Sequence, residues 1–225
     1  MFVPSERWKN AYPEAFCGVL AMRNVENPVS HPLLEQRREE LRRDLSARYS
    51  GSTREELRRI VEIEAYTRYY RRFKKTYHVL LQLESVAVRG KNLPPTPALV
   101  QTMFMAELKN LLLTAAHDLD TLKAPVTIDV AEGSETYILL NGTEQSLKSG
   151  DMMISDQEGV ISSIIYGPDS RSRITSRTRG VLYTVYAPSG IREEQVRRHL
   201  KDIEEYVRLY SPEAIVETGK VYCGS

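Results

Sequence analysis

Apolar residues run almost unbroken from Ala15 to Met22, after Pro13 and before Asn27-Pro28, which predicts an early buried strand. The period then lengthens. Leu33, Leu34, Leu41 and Leu45 form one stripe in a charged background, predicting a helix over Pro32–Ala47 that stops at Ser50-Gly51-Ser52. Ser52 or Thr53 can cap the next helix, with Glu55 and Glu56 in its first turn and Leu57, Ile60, Val61 and Ile63 carrying it towards Tyr70. A third helix is expected over Tyr77–Val88, with Leu80, Leu81, Leu83 and Val86 inward. Gly90 and Pro94-Pro95-Thr96-Pro97 interrupt the chain, and Ala98–Leu113 reads as a buried helix. From there the period shortens to two. Val126–Val130, Tyr137–Leu140, Met152–Ser155, Gly159–Ile165 and Val181–Ala187 are candidate strands, and Asn141-Gly142 is a strong tight-turn signal. A closing helix follows over Ile191–Leu209, with Ile191, Val196, Leu200, Ile203 and Val207 on one face. Ala214-Ile215-Val216 reads as a last short strand.

Helices before and after a strand-rich centre point to an α+β fold, a helix-rich N-terminal half packed on a mixed or antiparallel sheet. We expect one domain over 1–225, helical over about 30–114 and strand-rich over about 124–188, closed by the helix at about 191–209. The formal charge of +1 gives no global field, so any polyanion site must be local. Cys17 and Cys223 lie near opposite ends and suggest free thiols in a reducing compartment. No apolar run approaches the roughly 20 residues of a membrane span, and the start lacks the shape of a signal peptide. The expected location is therefore cytoplasmic. Nothing in the sequence fixes an oligomeric state.

Two segments are rich in cations. In Tyr66–His78, Arg68, Arg71, Arg72, Lys74 and Lys75 alternate with Tyr66, Tyr69, Tyr70, Phe73 and Tyr77, with no acid among them. Such a mixture suits RNA, whose phosphates attract the cations and whose unpaired bases stack on rings. It equally suits a helix end with tyrosines inward and cations in solvent. In Asp169–Gly180, Arg171, Arg173, Arg177 and Arg179 are interleaved with serines and threonines, a donor set for phosphate or carboxylate. His117-Asp118-Leu119-Asp120 is the one group with catalytic flavour. His117 is a candidate general base, with the hydroxyls of Thr114 and Thr102 in neighbouring segments. The alternative is that the two aspartates bond within a turn. His31, His78 and His199 sit in charged helical contexts and are expected at the surface. Metal-ligand spacing, a Walker loop, a dinucleotide glycine fingerprint and Gly-x-Ser-x-Gly are all missing, so no cofactor or metal is expected.

The ordered series Met105-Ala106-Glu107-Leu108, Ala116-His117-Asp118-Leu119-Asp120, Leu140-Asn141-Gly142-Thr143-Glu144, Gly150–Asp156 and Gly167-Pro168-Asp169-Ser170 resembles the B3/B4 domain of the phenylalanyl-tRNA synthetase beta subunit. Gly18-Val19-Leu20 and Leu93-Pro94-Pro95 are similar to stand-alone members. The resemblance implies tRNA or aminoacyl-tRNA as partner and a pocket for a small amino-acid-like ligand. In the synthetase that domain hydrolyses a wrong amino acid from tRNA. The synthetic domain has no counterpart here, so this chain is not a complete tRNA ligase. Gly167 matches a family glycine beside the pocket. The family's editing histidine falls on Ala115, its Thr-Asn pair on Met103 and Phe104 or on Gln101 and Thr102, and a strand glutamate near Tyr183. The implied ligand-binding residues are Thr102, Gly167, Ser170 and Tyr183, with His117 and Thr114 as candidate catalytic groups. Arg68, Arg71, Arg72, Lys74, Lys75, Arg171, Arg173 and Arg177 are the candidate RNA contacts. Two functions follow: a binder of tRNA or of an amino-acid-like ligand, or a free-standing aminoacyl-tRNA deacylase.

Overall fold

The computed structural model describes residues 2–93 and 95–225. Pro94, within the expected proline break, lies outside the described residues. The chain opens with β1 (Phe2–Pro4) and α1 (Glu6–Ala11), then β2 (Phe16–Arg23) and the long α2 (Pro32–Tyr49). Next come α3 (Arg54–Arg58), α4 (Val61–Arg71), α5 (His78–Leu83) and α6 (Ala98–Asn110). The second half holds β3 (Thr114–Asp118), β4 (Val126–Val130), β5 (Thr136–Ile138), β6 (Glu144–Ser146), β7 (Met152–Asp156), β8 (Gly159–Ser163), β9 (Gly167–Pro168) and β10 (Gly180–Ala187). Helix α7 (Glu193–Arg208) and β11 (Ile215–Cys223) close it. The fold is α+β, and no described helix is long and apolar enough to cross a membrane.

The strands divide into a five-stranded sheet ordered β1-β4-β7-β8-β9, a four-stranded sheet ordered β11-β2-β10-β3, and a β5-β6 ribbon. The four-stranded sheet is antiparallel throughout; in the larger one β1 runs parallel to β4. Helix α7 lies close against β2. A side chain at Gly18 would come within 2.6 Å of Val196 Cγ1, so glycine is what permits that approach. One continuous apolar core joins Trp8, Leu34, Leu80, Leu108, Ile154, Val185 and Ile203.

Several expected elements differ in detail. The helix expected to run towards Tyr70 is two helices, because Ile60 is extended (ψ 129°) and re-caps the chain. A separate capping box on Thr53 and Glu56 starts α3. The third helix ends as a wider π-type turn over Glu84–Val88. The fourth stops at Asn110, where Leu111 adopts a left-handed conformation (φ 58°). The final strand is nine residues long rather than three, an edge strand paired along β2. Its alternating exposed residues, with Glu217 and Lys220 among them, carry too little apolar signal to be read locally. For the same reason β1 and α1 were not expected.

The basic-aromatic run turns its rings inward. Tyr66, Tyr69, Tyr70 and Tyr77 are all buried. Their phenols lock helix to strand. Tyr66 donates to the carbonyl of Tyr186 and accepts from the amide of Leu113 at 2.9 Å. Tyr69 donates to Asp151 Oδ1 at 2.8 Å and accepts from the amide of Met152 at 2.6 Å. Tyr70 donates to the carbonyl of Ile164 at 2.6 Å, and Tyr77 to that of Leu111 at 3.1 Å. Four large rings bury their area while every hydroxyl finds a backbone or carboxylate partner.

Candidate functional site

Helix α6, strand β3 and the turn between β8 and β9 enclose a cleft of about 480 Å³. The left-handed joint at Leu111 folds β3 back beside α6, so that Glu107 Oε1 accepts from the Thr114 amide at 2.8 Å. Met103 and Phe104 line one wall, Ala115 and Ala116 another, and Ile164, Ile165 and Tyr166 a third. Leu140, Gly167, Arg173, Ile174 and His78 complete the rim. The small side chains on β3 leave the space open. Gly167 sits at φ +84° with no heavy atom within 4 Å of where a side chain would start, so backbone conformation rather than crowding selects glycine there.

The cleft is apolar with few polar groups, the usual composition of a small-molecule site. Glu107 is the notable one. It is buried, and its Oε2 has no hydrogen-bond partner among the described residues. Burial pushes its carboxyl up to about 8, against the single stabilising bond from Thr114. At the rim, Arg173 Nη1 donates to the carbonyl of Ser170 at 2.9 Å and remains exposed. The Lys75 ammonium lies 5.4 Å from the Tyr166 ring centroid, beside the cleft.

The structure brings Gly167 and Arg173 to this cleft and sets the other predicted residues elsewhere. His117 is fully buried and does not line it. Ser172 Oγ donates to Asp169, so His117 Nδ1–H donates to Ser172 Oγ at 2.7 Å and Nε2 is left bare. Burial, then the Arg171 charge, hold this imidazole down to about 3. Asp118 is committed to a turn, accepting from the Asp120 amide at 3.1 Å and from Thr178 Oγ1 at 2.6 Å. Thr114 is also away from the cleft, its Oγ1 2.7 Å from His199 Nε2. His199 was expected at the surface but is fully buried, because it lies on the inward face of α7 with Val196, Leu200 and Ile203. Asn110 Nδ2 donates to its Nδ1 at 3.2 Å, which assigns the Nε2–H tautomer. Thr102 Oγ1 lies 3.2 Å from the Tyr210 hydroxyl, and Tyr183 donates to the carbonyl of Leu99 at 2.9 Å. Both are buried away from the cleft, and Ser170 does not line it.

The cations sort in the same way. Arg171 is an internal clamp, with Nη2 2.8 Å from Asp156 Oδ1, Nη1 3.1 Å from the Thr121 carbonyl and Nη1 3.3 Å from Glu158 Oε2. Arg68 donates to the Ser189 carbonyl at 2.6 Å, and Arg72 lies over the rings of Tyr12, Tyr69 and Phe73. Arg71, Lys74, Lys75, Arg173 and Arg177 are exposed.

Sequence reasoning missed Glu107 and His78 as cleft residues. The available signal was a lone carboxylate in the apolar helix Ala98–Asn110. Among the described residues, no group of three histidine, cysteine or carboxylate side chains is placed to hold a metal ion. Ala115, Met103, Phe104 and Gly167, four positions that the resemblance aligns with editing-pocket residues, all line the cleft.

The model of the B3/4 domain matches residues 63–211. An N-terminal fragment of the phenylalanyl-tRNA synthetase beta subunit from Pyrococcus horikoshii is similar at 14% identity and a TM-score of 0.47, covering 98% of this chain and 49% of that one. The chain thus spans about half the length of that fragment. No curated protein sequence matches.

Proposed function

Because the chain belongs to the B3/4 domain family, we propose that it is a tRNA-directed binding module whose cleft receives the aminoacyl end, or a free ligand of similar chemistry. The observation that carries this reading is the cleft itself. Its roughly amino-acid-scale apolar space is lined by Ala115, Met103, Phe104 and Gly167. Where the family places a histidine there is a methyl group, which favours binding over hydrolysis. Exposed Arg173 at the rim and Lys75 beside Tyr166 supply cations for flanking phosphates.

Filter binding with aminoacylated and deacylated tRNA tests the proposal. We expect tighter, salt-sensitive binding of the aminoacylated form, lost when Ala115→Phe fills the cleft. Equal affinity for both forms, unchanged by Ala115→Phe, would overturn it.

A second reading, a free-standing deacylase, is favoured by the placement of Glu107 and His78 in one cleft. Water would add to the ester carbonyl, the bond from the acyl carbon to the ribose oxygen would break with that oxygen keeping the electron pair and taking the proton of a neutral Glu107, and the proton lost by the water would return to the Glu107 carboxylate. Hydrolysis of mischarged tRNAs that disappears in Glu107→Gln and persists in His117→Ala would support it. No ester loss above background would exclude it.

A further inference from the structure

The polar groups close to Glu107 leave it without a counter-charge. Its Oε1 is taken by the Thr114 amide from β3. The phenols of Tyr66 and Tyr77 pack close by, but Tyr66 already donates to Tyr186 and Tyr77 to the Leu111 carbonyl. Tyr70, from the same helix as Tyr66, donates to Ile164. Tyr186, on the β10 side of the cleft, is engaged with Ser162 Oγ at 2.6 Å. The remaining titratable groups of the cleft are His78 from α5, Tyr166 after β8 and Arg173 from the loop before β10. Among the described residues no salt bridge reaches Glu107, whereas Arg171, Lys109 and Arg54 each pair with a carboxylate elsewhere. A buried carboxylate with one unpartnered oxygen, in an apolar cleft, is costly unless something else completes it.

We propose that Glu107 selects the occupant of this cleft by its ammonium group: the ligand class is a primary amine on an apolar body with no free carboxylate beside it. An amino-acid ester and an alkylamine meet that description. A free amino acid does not, because its carboxylate would sit next to Glu107 with no buried cation to offset it. The inference rests on the ligand-binding reading above and adds to it a reason for preferring esterified over free amino acids. Phe104, Tyr166, Ile165 and Ile174 then receive the apolar body.

The charge arithmetic gives a signature. In the empty cleft burial holds the Glu107 carboxyl up to about 8, so most of it is neutral at pH 7. Seating an ammonium requires the ionised form and expels that proton. Affinity for a cation with an ordinary alkylamine pKa should therefore rise about tenfold per pH unit below about 8 and then level off. His78, exposed at the rim, is the one imidazole of the cleft. A variant at that position separates its contribution from that of Glu107.

The test is calorimetric titration of the full chain with 2-phenylethylamine and with its neutral isostere 2-phenylethanol, and with leucine methyl ester against leucine. At pH 7 the amine should bind at least tenfold tighter than the alcohol, and the ester at least tenfold tighter than leucine. Amine affinity should rise about tenfold between pH 6 and pH 7, while the alcohol's stays flat. Glu107→Gln, which keeps an oxygen for the Thr114 amide, should abolish both the preference and the slope; His78→Asn should keep the slope, whatever it does to absolute affinity. Equal binding of amine and alcohol by the unaltered protein, or a slope that survives Glu107→Gln, overturns the inference. That result leaves the binding reading standing if aminoacyl-tRNA still binds in a way Ala115→Phe removes; failure of every probe and of aminoacyl-tRNA brings down both. Displacement of the amine by aminoacylated tRNA, but not by deacylated tRNA, supports the esterified amino acid as occupant. Simultaneous binding of the two overturns that source.

Discussion

Strand β3 separates two kinds of polar chemistry. Away from the cleft, Thr114 and His117 belong to sealed nests: His199 is held at both ring nitrogens by Asn110 and Thr114, and His117 is held at Nδ1 by Ser172 while its Nε2 stays bare but shut off from the cleft. Along the cleft, Ala115 and Ala116 bring no polar side-chain group, and the nearby Glu107 keeps an oxygen unpartnered. The histidines and Glu107 are alike held neutral by burial, and of the three only Glu107 borders the cleft. The lesson is that a titratable residue sealed among packed neighbours is part of the scaffold, even with one bond unmade as at His117 Nε2, and one with a bond missing beside open space is a candidate for recognition.

The comparison can be broken most forcefully at Tyr66. Tyr66→Phe leaves the Leu113 amide and the Tyr186 carbonyl without their buried partner, and should cost about 3 kcal/mol in denaturant unfolding. A loss under about 1 kcal/mol would mean the locks are ornamental. On the cleft side the sign reverses. Because the folded carboxyl of Glu107 is raised from its ordinary 4.5 to about 8, the stability it contributes is full below pH 4.5 and fades as pH climbs to 8. Glu107→Gln should therefore gain ~2.5 kcal/mol relative to the parent on going from pH 5 to pH 7. A difference that does not change with pH would contradict the burial argument.

The nests carry the opposite dependence. His199 is lowered from 6.5 to about 3 by burial, so the stability it contributes is full above pH 6.5 and drains away as pH falls towards 3. His199→Leu should cost about 2 kcal/mol at pH 7 through the lost bonds to Thr114 and Asn110, with a shrinking penalty in acid, read from melts at pH 7 and pH 5. The smallest effects belong to the exposed cations. Arg173→Ala and Arg177→Ala should each leave stability within about 0.5 kcal/mol. Each should also lower the salt slope of tRNA binding by about one. Arg171→Ala, by contrast, should lower the melting temperature without a distinct change in that slope.

Much of the architecture was legible because it follows from burial periodicity. The strands at Val126–Val130 and Met152–Asp156, the buried helix at Ala98–Asn110 and the closing helix all sit close to where the patterning put them. Elements with weak apolar contrast were not legible: β1, α1 and most of β11 are ordered by partners over 100 residues away in sequence. The site was read less well. His117 drew attention as a histidine beside aspartates, yet whether a side chain faces a cleft or a sealed nest depends on the loop that carries Ser172. Arg171 looked like its neighbours Arg173 and Arg177, and only the acids at 156 and 158 set it apart. Glu107 stands within the motif Met105–Leu108, but no local pattern says that its second oxygen lacks a partner.

The tyrosine locks have a consequence for motion. The amides of Leu113 and Met152 are held by phenol oxygens, not by a strand ladder or a helix turn. Deuterium can replace those protons only when helix α4 lifts from the strands, so their exchange clocks that breathing directly. Slow uptake at both, matching the centre of β10, would mark the wall behind the cleft as rigid before any guest arrives.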